Sequence, residues 1–179
     1  MFIAQAFKNR TLFILLLSMS FNGYSDEGIG FKAEIIKGAC SFGIVSNIDF
    51  GDIYLGDFIE NANLAARVKP LKILYECEGF AEGINPSIKV NGSTPDNDPE
   101  TFFTSGTAKG VGFQIKNSDI IPSEFNENKI KPLKDNSEIE IEPTEKLINM
   151  TVGFVSQNAA KKISSGSATA TITFDFIYP

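Results

Sequence analysis

Gly166-Ser-Ala-Thr-Ala-Thr-Ile-Thr-Phe-Asp-Phe-Ile-Tyr178-Pro179 repeats with a period of two. Every second position, Gly166, Ala168, Ala170, Ile172, Phe174, Phe176 and Tyr178, is small or apolar. The positions between carry Ser167, Thr169, Thr171, Thr173 and Asp175, with Ile177 the one lapse. Side chains alternate faces along a strand, so this register gives an apolar ladder that grows from glycine to aromatic and a hydroxyl-rich ladder behind it. The threonine and aromatic content favours a strand over a helix of equal length. Such a strand needs neighbours for its backbone, and which neighbours it takes is the functional question.

Upstream, short strand-like runs recur between glycine, proline, asparagine and aspartate. They are Ile29–Ile36, Ile44–Phe50, Val68–Glu76, Ser87–Asn91, Val111–Lys116, Ile139–Glu142 and Asn149–Val155, with Ala168–Tyr178 closing the series. No long amphipathic helix is present, and Leu64–Arg67 and Glu145–Ile148 offer at most a helical turn each. Many short strands in one domain-sized chain predict an all-β fold, an antiparallel sandwich. Pro70 suits an edge or a strand entrance. Asn117–Lys146, interrupted by Pro122, Pro132 and Pro143, reads as a long connection holding one short strand.

The first twenty-five residues have the pattern of a signal peptide. Lys8 and Arg10 precede the apolar run Leu12–Phe21, and Gly23 and Ser25 supply small residues for cleavage after Ser25. The run is about half the length of a bilayer-spanning helix. Export places Cys40 and Cys77 in an oxidising compartment where they can pair, free thiols being the alternative. In the chain-entropy model a bridge closing such a loop stabilises by about 4 kcal/mol.

Sixteen basic against twenty-two acidic residues, a net charge of −6, argue against nucleic acid or an anionic membrane as partner. The chain has no histidine, which removes the commonest general base and metal ligand and leaves two cysteines short of a structural zinc site. Carboxylates do recur: Asp49 and Asp52 flank Phe50-Gly51, and Glu138, Glu140 and Glu142 alternate with Ile139 and Ile141. On a strand that alternation is a solvated face, not an acid–base pair. Asp96, Asp98 and Glu100 lack the glycine and distal glutamate of a helix–loop–helix calcium site. Neither catalysis, a metal nor a cofactor is expected. Tyr54, Phe58, Phe80, Phe102 and Phe103 leave open a self-contained secreted module that binds carbohydrate or protein through surface aromatics.

The N-terminal segment adds a second apolar ladder. Ile29, Phe31, Ala33 and Ile35 share one face of an extended chain. Burying Ile29, Phe31 and Ile35 would stabilise by about 5–9 kcal/mol gross, so that face is costly to leave in water.

With both ends read, the chain resembles a pilin of the chaperone–usher pathway, the family of type 1 and P pilus subunits. The match rests on Ile29-Gly-Phe-Lys-Ala-Glu-Ile-Ile-Lys-Gly-Ala-Cys40, on Ile48-Asp-Phe-Gly51 after that cysteine, on Leu71-Lys-Ile-Leu-Tyr-Glu-Cys77, on Gly110-Val-Gly-Phe-Gln-Ile115, and on the Gly166 ladder with its penultimate tyrosine. Ala33 stands where many pilins have glycine, and Pro179 follows the tyrosine.

The resemblance implies an incomplete immunoglobulin-like sandwich completed by a donor strand from a partner. It divides the chain into a signal peptide (1–25), an N-terminal donor-strand extension (26–37) carrying Ile29, Phe31, Ala33 and Ile35, and a pilin domain (38–179). Gly166, Ala168, Ala170, Ile172, Phe174, Phe176 and Tyr178 then form the C-terminal strand of a groove. The implied partners are a periplasmic pilus chaperone, an outer-membrane usher and neighbouring pilin subunits in a head-to-tail polymer. The implied route runs through the periplasm to a fimbrium at the cell surface.

Overall fold

The structure, a computed structural model, describes residues 33–34, 38–43, 47–59, 65–127, 129–157 and 162–179. Two compact units divide the chain, Met1–Ile35 and Ile36–Pro179. Of the first, the described residues are Ala33 and Glu34, both exposed. The signal-peptide reading, the candidate strand Ile29–Ile36 and donor residues Ile29, Phe31 and Ile35 lie outside the described residues.

The second unit is built from strands β1 (Ala39–Phe42), β2 (Arg67–Glu78), β3 (Ser87–Gly92), β4 (Ser105–Gly106), β5 (Val111–Lys116), β6 (Ser137–Glu140), β7 (Leu147–Ser156), β8 (Ala168–Thr169) and β9 (Ile172–Ile177). Two short helices, α1 (Leu55–Ile59) and α2 (Pro122–Phe125), interrupt them. All pairings among the described residues are antiparallel. A four-stranded sheet runs β1-β2-β7-β5, a three-stranded sheet β6-β3-β9, and β4 and β8 form a short ribbon. Leu71 and Ile73 of β2, Ile115 of β5 and Val152 of β7 share one core cluster with Val90 of β3 and Ile139 of β6, so the two sheets bury their inner faces against each other as a sandwich.

Alternation accounts for most strands. In β2, Leu71, Ile73 and Tyr75 are buried while Pro70, Lys72 and Leu74 are exposed; in β6, Ile139 is buried between exposed Glu138 and Glu140. Strand β7 departs from the pattern, being buried without a break from Met150 to Val155. The connection after β5 covers its outer face. Phe125 of α2 packs where Gly153 leaves room, and the Thr151 hydroxyl donates to the Ser118 carbonyl at 2.7 Å while accepting from the Ile120 N–H at 3.1 Å. Lys116, itself buried, donates to the carbonyls of Phe125 (2.5 Å) and Glu127 (3.2 Å), and burial pulls its pKa down.

Several expectations are corrected. Pro122 opens α2 at a position where its missing N–H is not needed, instead of breaking a loop. Neither predicted helical turn forms among the described residues, since Arg67 begins β2 and Leu147 begins β7. Residues 47–50 belong to no strand, while 44–46 lie outside the described residues. The final strand is broken at Ala170–Thr171: β8 pairs with β4, β9 with β3, and the Thr171 N–H turns to the Thr104 hydroxyl at 2.9 Å.

Candidate functional site: an apolar groove beside the C-terminal strand

The alternation of the C-terminal stretch continues across that break. Residues 168, 170, 172, 174 and 176 are half-buried, and 169, 171, 173 and 175 are exposed. Half-burial is the informative state. Ala168, Ala170, Ile172 and Phe174 pack against the core, yet none reaches the near-complete burial of Ile73 or Val90, because β9 lies at the edge of its sheet with no strand beyond it among the described residues.

Along that edge runs a groove of about 460 Å³. One wall is the ladder Ala168, Ala170, Ile172 and Phe174. The opposite wall is the irregular segment from Asn47 to Gly51, and the floor is Leu71, Phe113, Ile115 and Val152, whose side chains belong to the facing sheet. The groove therefore opens the sandwich core to the outside for the length of a short strand. Phe50 braces the far wall, with its ring 5.4 Å from Phe113 in an edge contact and 6.3 Å from Phe154.

The other ladder residues flank the groove. Gly166 sits where the chain crosses the residues after β4: its φ is +151°, and a Cβ there would lie 2.4 Å from the Ala108 nitrogen, so only glycine fits. Phe176 stacks on Phe42 of β1, ring centroids 4.0 Å apart, joining the two sheets beyond the groove. The Tyr178 hydroxyl accepts from the Cys40 N–H at 3.1 Å, and its ring stacks at 6.1 Å from Phe80. Cys40 and Cys77 are cross-strand partners in β1 and β2 and are joined by a disulfide.

The competing sites are not assembled. Phe58 and Phe102 are buried and Phe80 is engaged with Tyr178, so the sequence aromatics do not form one exposed platform; Tyr54, 74% exposed, stands apart from them in burial. Among the described residues no group of three potential ligands could hold a metal ion. The groove floor was missed from sequence because its residues sit on three strands far apart in the chain. The far wall was quoted as Ile48-Asp-Phe-Gly51, but nothing in those four residues says that they face the C-terminal ladder.

A family model described as "Fimbrial protein" matches residues 29–179. No curated protein matches the chain. Among solved structures, the chain is similar to the P pilus rod subunit PapA, with 15% identity, a TM-score of 0.57, and coverage of 85% of this chain and 99% of that one. It is also similar to the CupB6 tip adhesin from Pseudomonas aeruginosa, at 19% identity and TM-score 0.49 over 70% of this chain and 34% of that one. A type I fimbria protein and antigen of Burkholderia pseudomallei gives 14% identity and TM-score 0.47 over 80% of this chain and all of the other (100%). The likeness to the rod subunit carries the fold, an immunoglobulin-like pilin sandwich.

Proposed function

The chain belongs to the fimbrial protein family and is a structural subunit of a surface pilus that contacts other pilin subunits, and on that premise we propose that it polymerises by donor-strand exchange through the groove beside β8 and β9. The groove accepts an extended segment of a neighbouring subunit. The segment this chain offers in turn is Ile29, Phe31, Ala33 and Ile35. A donor strand running along Ala168–Phe174 would meet, with its backbone, the edge of β9 that no strand covers among the described residues, and the floor at Leu71, Ile115 and Val152 with alternate side chains. The observation that carries the reading is this apolar slot, which leaves core-facing residues accessible beside a strand edge that is uncovered among the described residues.

The proposal extends to the order of events. Residues 1–25 direct export and are removed, 26–37 form the donor extension and 38–179 the acceptor domain. In the periplasm a pilus chaperone covers the groove first, and an outer-membrane usher directs its exchange for the next subunit's extension. Pilins act by association, and no catalytic step is assigned.

A synthetic peptide of residues 26–37, added in excess while the mature subunit assembles, should occupy free grooves and shorten the SDS-resistant ladder of polymers. The same peptide with Phe31→Asp should not. Polymers of unchanged length in both cases would overturn the acceptor reading.

A further inference from the structure

Arg67 and Lys69 stand on the odd-numbered face of β2, the face that Leu71, Ile73 and Tyr75 turn into the core. Both are half-buried at that end of the strand, so their stems lie on apolar surface while their charged heads reach out to an acceptor. Both find one on the same short segment. The Arg67 guanidinium donates to the Phe50 carbonyl, and Lys69 Nζ donates to the Asp49 carbonyl at 2.5 Å. The Lys69 ammonium also lies 5.8 Å from the centroid of the Phe50 ring. Those two carbonyls belong to the far wall of the groove, which is part of no strand among the described residues. The wall turns back at Gly51, whose N–H donates to the Asp49 carboxylate at 2.8 Å. Where a ladder would normally fix such a segment, side chains from the facing sheet fix it here.

We propose that Arg67 and Lys69, on the acceptor reading of the groove, are positioning residues for strand acceptance. By holding Asp49 and Phe50 through their carbonyls, they keep residues 47–51 at the separation from Ala168–Phe174 that admits one extended chain. They touch the wall and not the incoming strand. Without them the wall is free to close over the exposed floor, which is the favourable direction for apolar surface, and an entering strand must first reopen it.

The test uses the full mature subunit and a fluorescent peptide of residues 26–37. Arg67→Met with Lys69→Met keeps aliphatic stems and removes both donors. Lys72→Met, an exposed lysine of the same strand, is the control. The double variant should take up peptide about tenfold more slowly while still unfolding in urea as a folded domain. The control should match wild type, and Lys69→Arg in place of Lys69→Met should recover part of the rate. Uptake equal to wild type in the double variant, or an equal loss in the control, overturns the role. Should the double variant not fold, Lys69→Met alone gives the same comparison, with about a threefold slowing expected from one lost donor and unchanged uptake again overturning it. Wild-type subunit that takes up no peptide would instead overturn the acceptor reading, and the positioning role with it.

Discussion

At the scale of single residues, two positions show how burial sets both stability and its pH dependence. Tyr75 is buried, and its hydroxyl donates to the Glu142 carbonyl at 2.8 Å. Burial, reinforced by the carboxylates of Glu145 and Glu142, raises its pKa above the ordinary 10.0. The fold thus retains a proton that the unfolded chain begins to release near pH 10. Stability from this group is complete below that pH and is lost as pH climbs through the folded value. Tyr75→Phe should therefore cost about 1 kcal/mol at pH 7, and its deficit against wild type should narrow above pH 10. Urea unfolding at pH 7, 9 and 10.5 checks this, and a constant gap would contradict it. Gly153 is the second position. A Cβ there would stand 2.4 Å from the Phe125 ring, so Gly153→Ala should destabilise by about 1–3 kcal/mol through overpacking. Adding Phe125→Leu should return part of that loss; strictly additive effects in thermal melts would argue that the two do not share the space.

At the scale of elements, what was legible was periodicity, and what was hidden was pairing. Val111–Lys116 was read with its observed ends, and the outward Glu138 and Glu140 with inward Ile139 follow from the alternation of their stretch. The C-terminal stretch kept its two faces through the break at Ala170–Thr171, because parity is local; its change of partner from β4 to β3 is a tertiary event with no mark in the alternation. The same reasoning explains Ile44–Phe50. Ile48 and Phe50 do both pack on the core, but residues 47–50 pair with no strand among the described residues. Lys69 shared parity with Leu71 in the stretch read as a strand, whereas Arg67 was read as the end of a helical turn and the carbonyls that receive both side chains had no mark in the sequence. Strand β1 offers a prediction of its own. It has only four residues, paired to the end of β2, and its Phe42 carries the stack on Phe176 that ties the two sheets. The Cys40–Cys77 bridge is what holds so short a strand in register. Cys40→Ser with Cys77→Ser should lower stability by up to about 4 kcal/mol and weaken the Tyr178 contact with Cys40. Equal melting temperatures with and without reductant in the wild-type protein would refute that role.

At the scale of the whole molecule, the sandwich class followed from many short strands, and the groove did not, because its walls and floor come from β2, β5, β7, β8, β9 and residues 47–51 meeting in space. A subunit that both accepts and donates a strand has two separable ends, and a single substitution can disable one of them. Phe31 is the largest side chain of the proposed donor ladder. Phe31→Asp would place a carboxylate against the floor at Leu71, Ile115 and Val152, where an unpaired charge is excluded. A one-residue slip does not rescue insertion, since it would turn Ile29 and Ile35 outward as well. The variant should thus accept a wild-type donor but fail to donate. Mixed with wild-type subunits, it should add at one end of a growing polymer and stop growth there, so SDS-resistant ladders should shorten in proportion to the fraction of variant. Ladders of wild-type length would show that residues 29–35 are not the donor. A variant that fails to fold as an isolated subunit would show instead that the same residues form a strand of their own domain, since a segment used only by the neighbour leaves its own sandwich intact when its chemistry is changed.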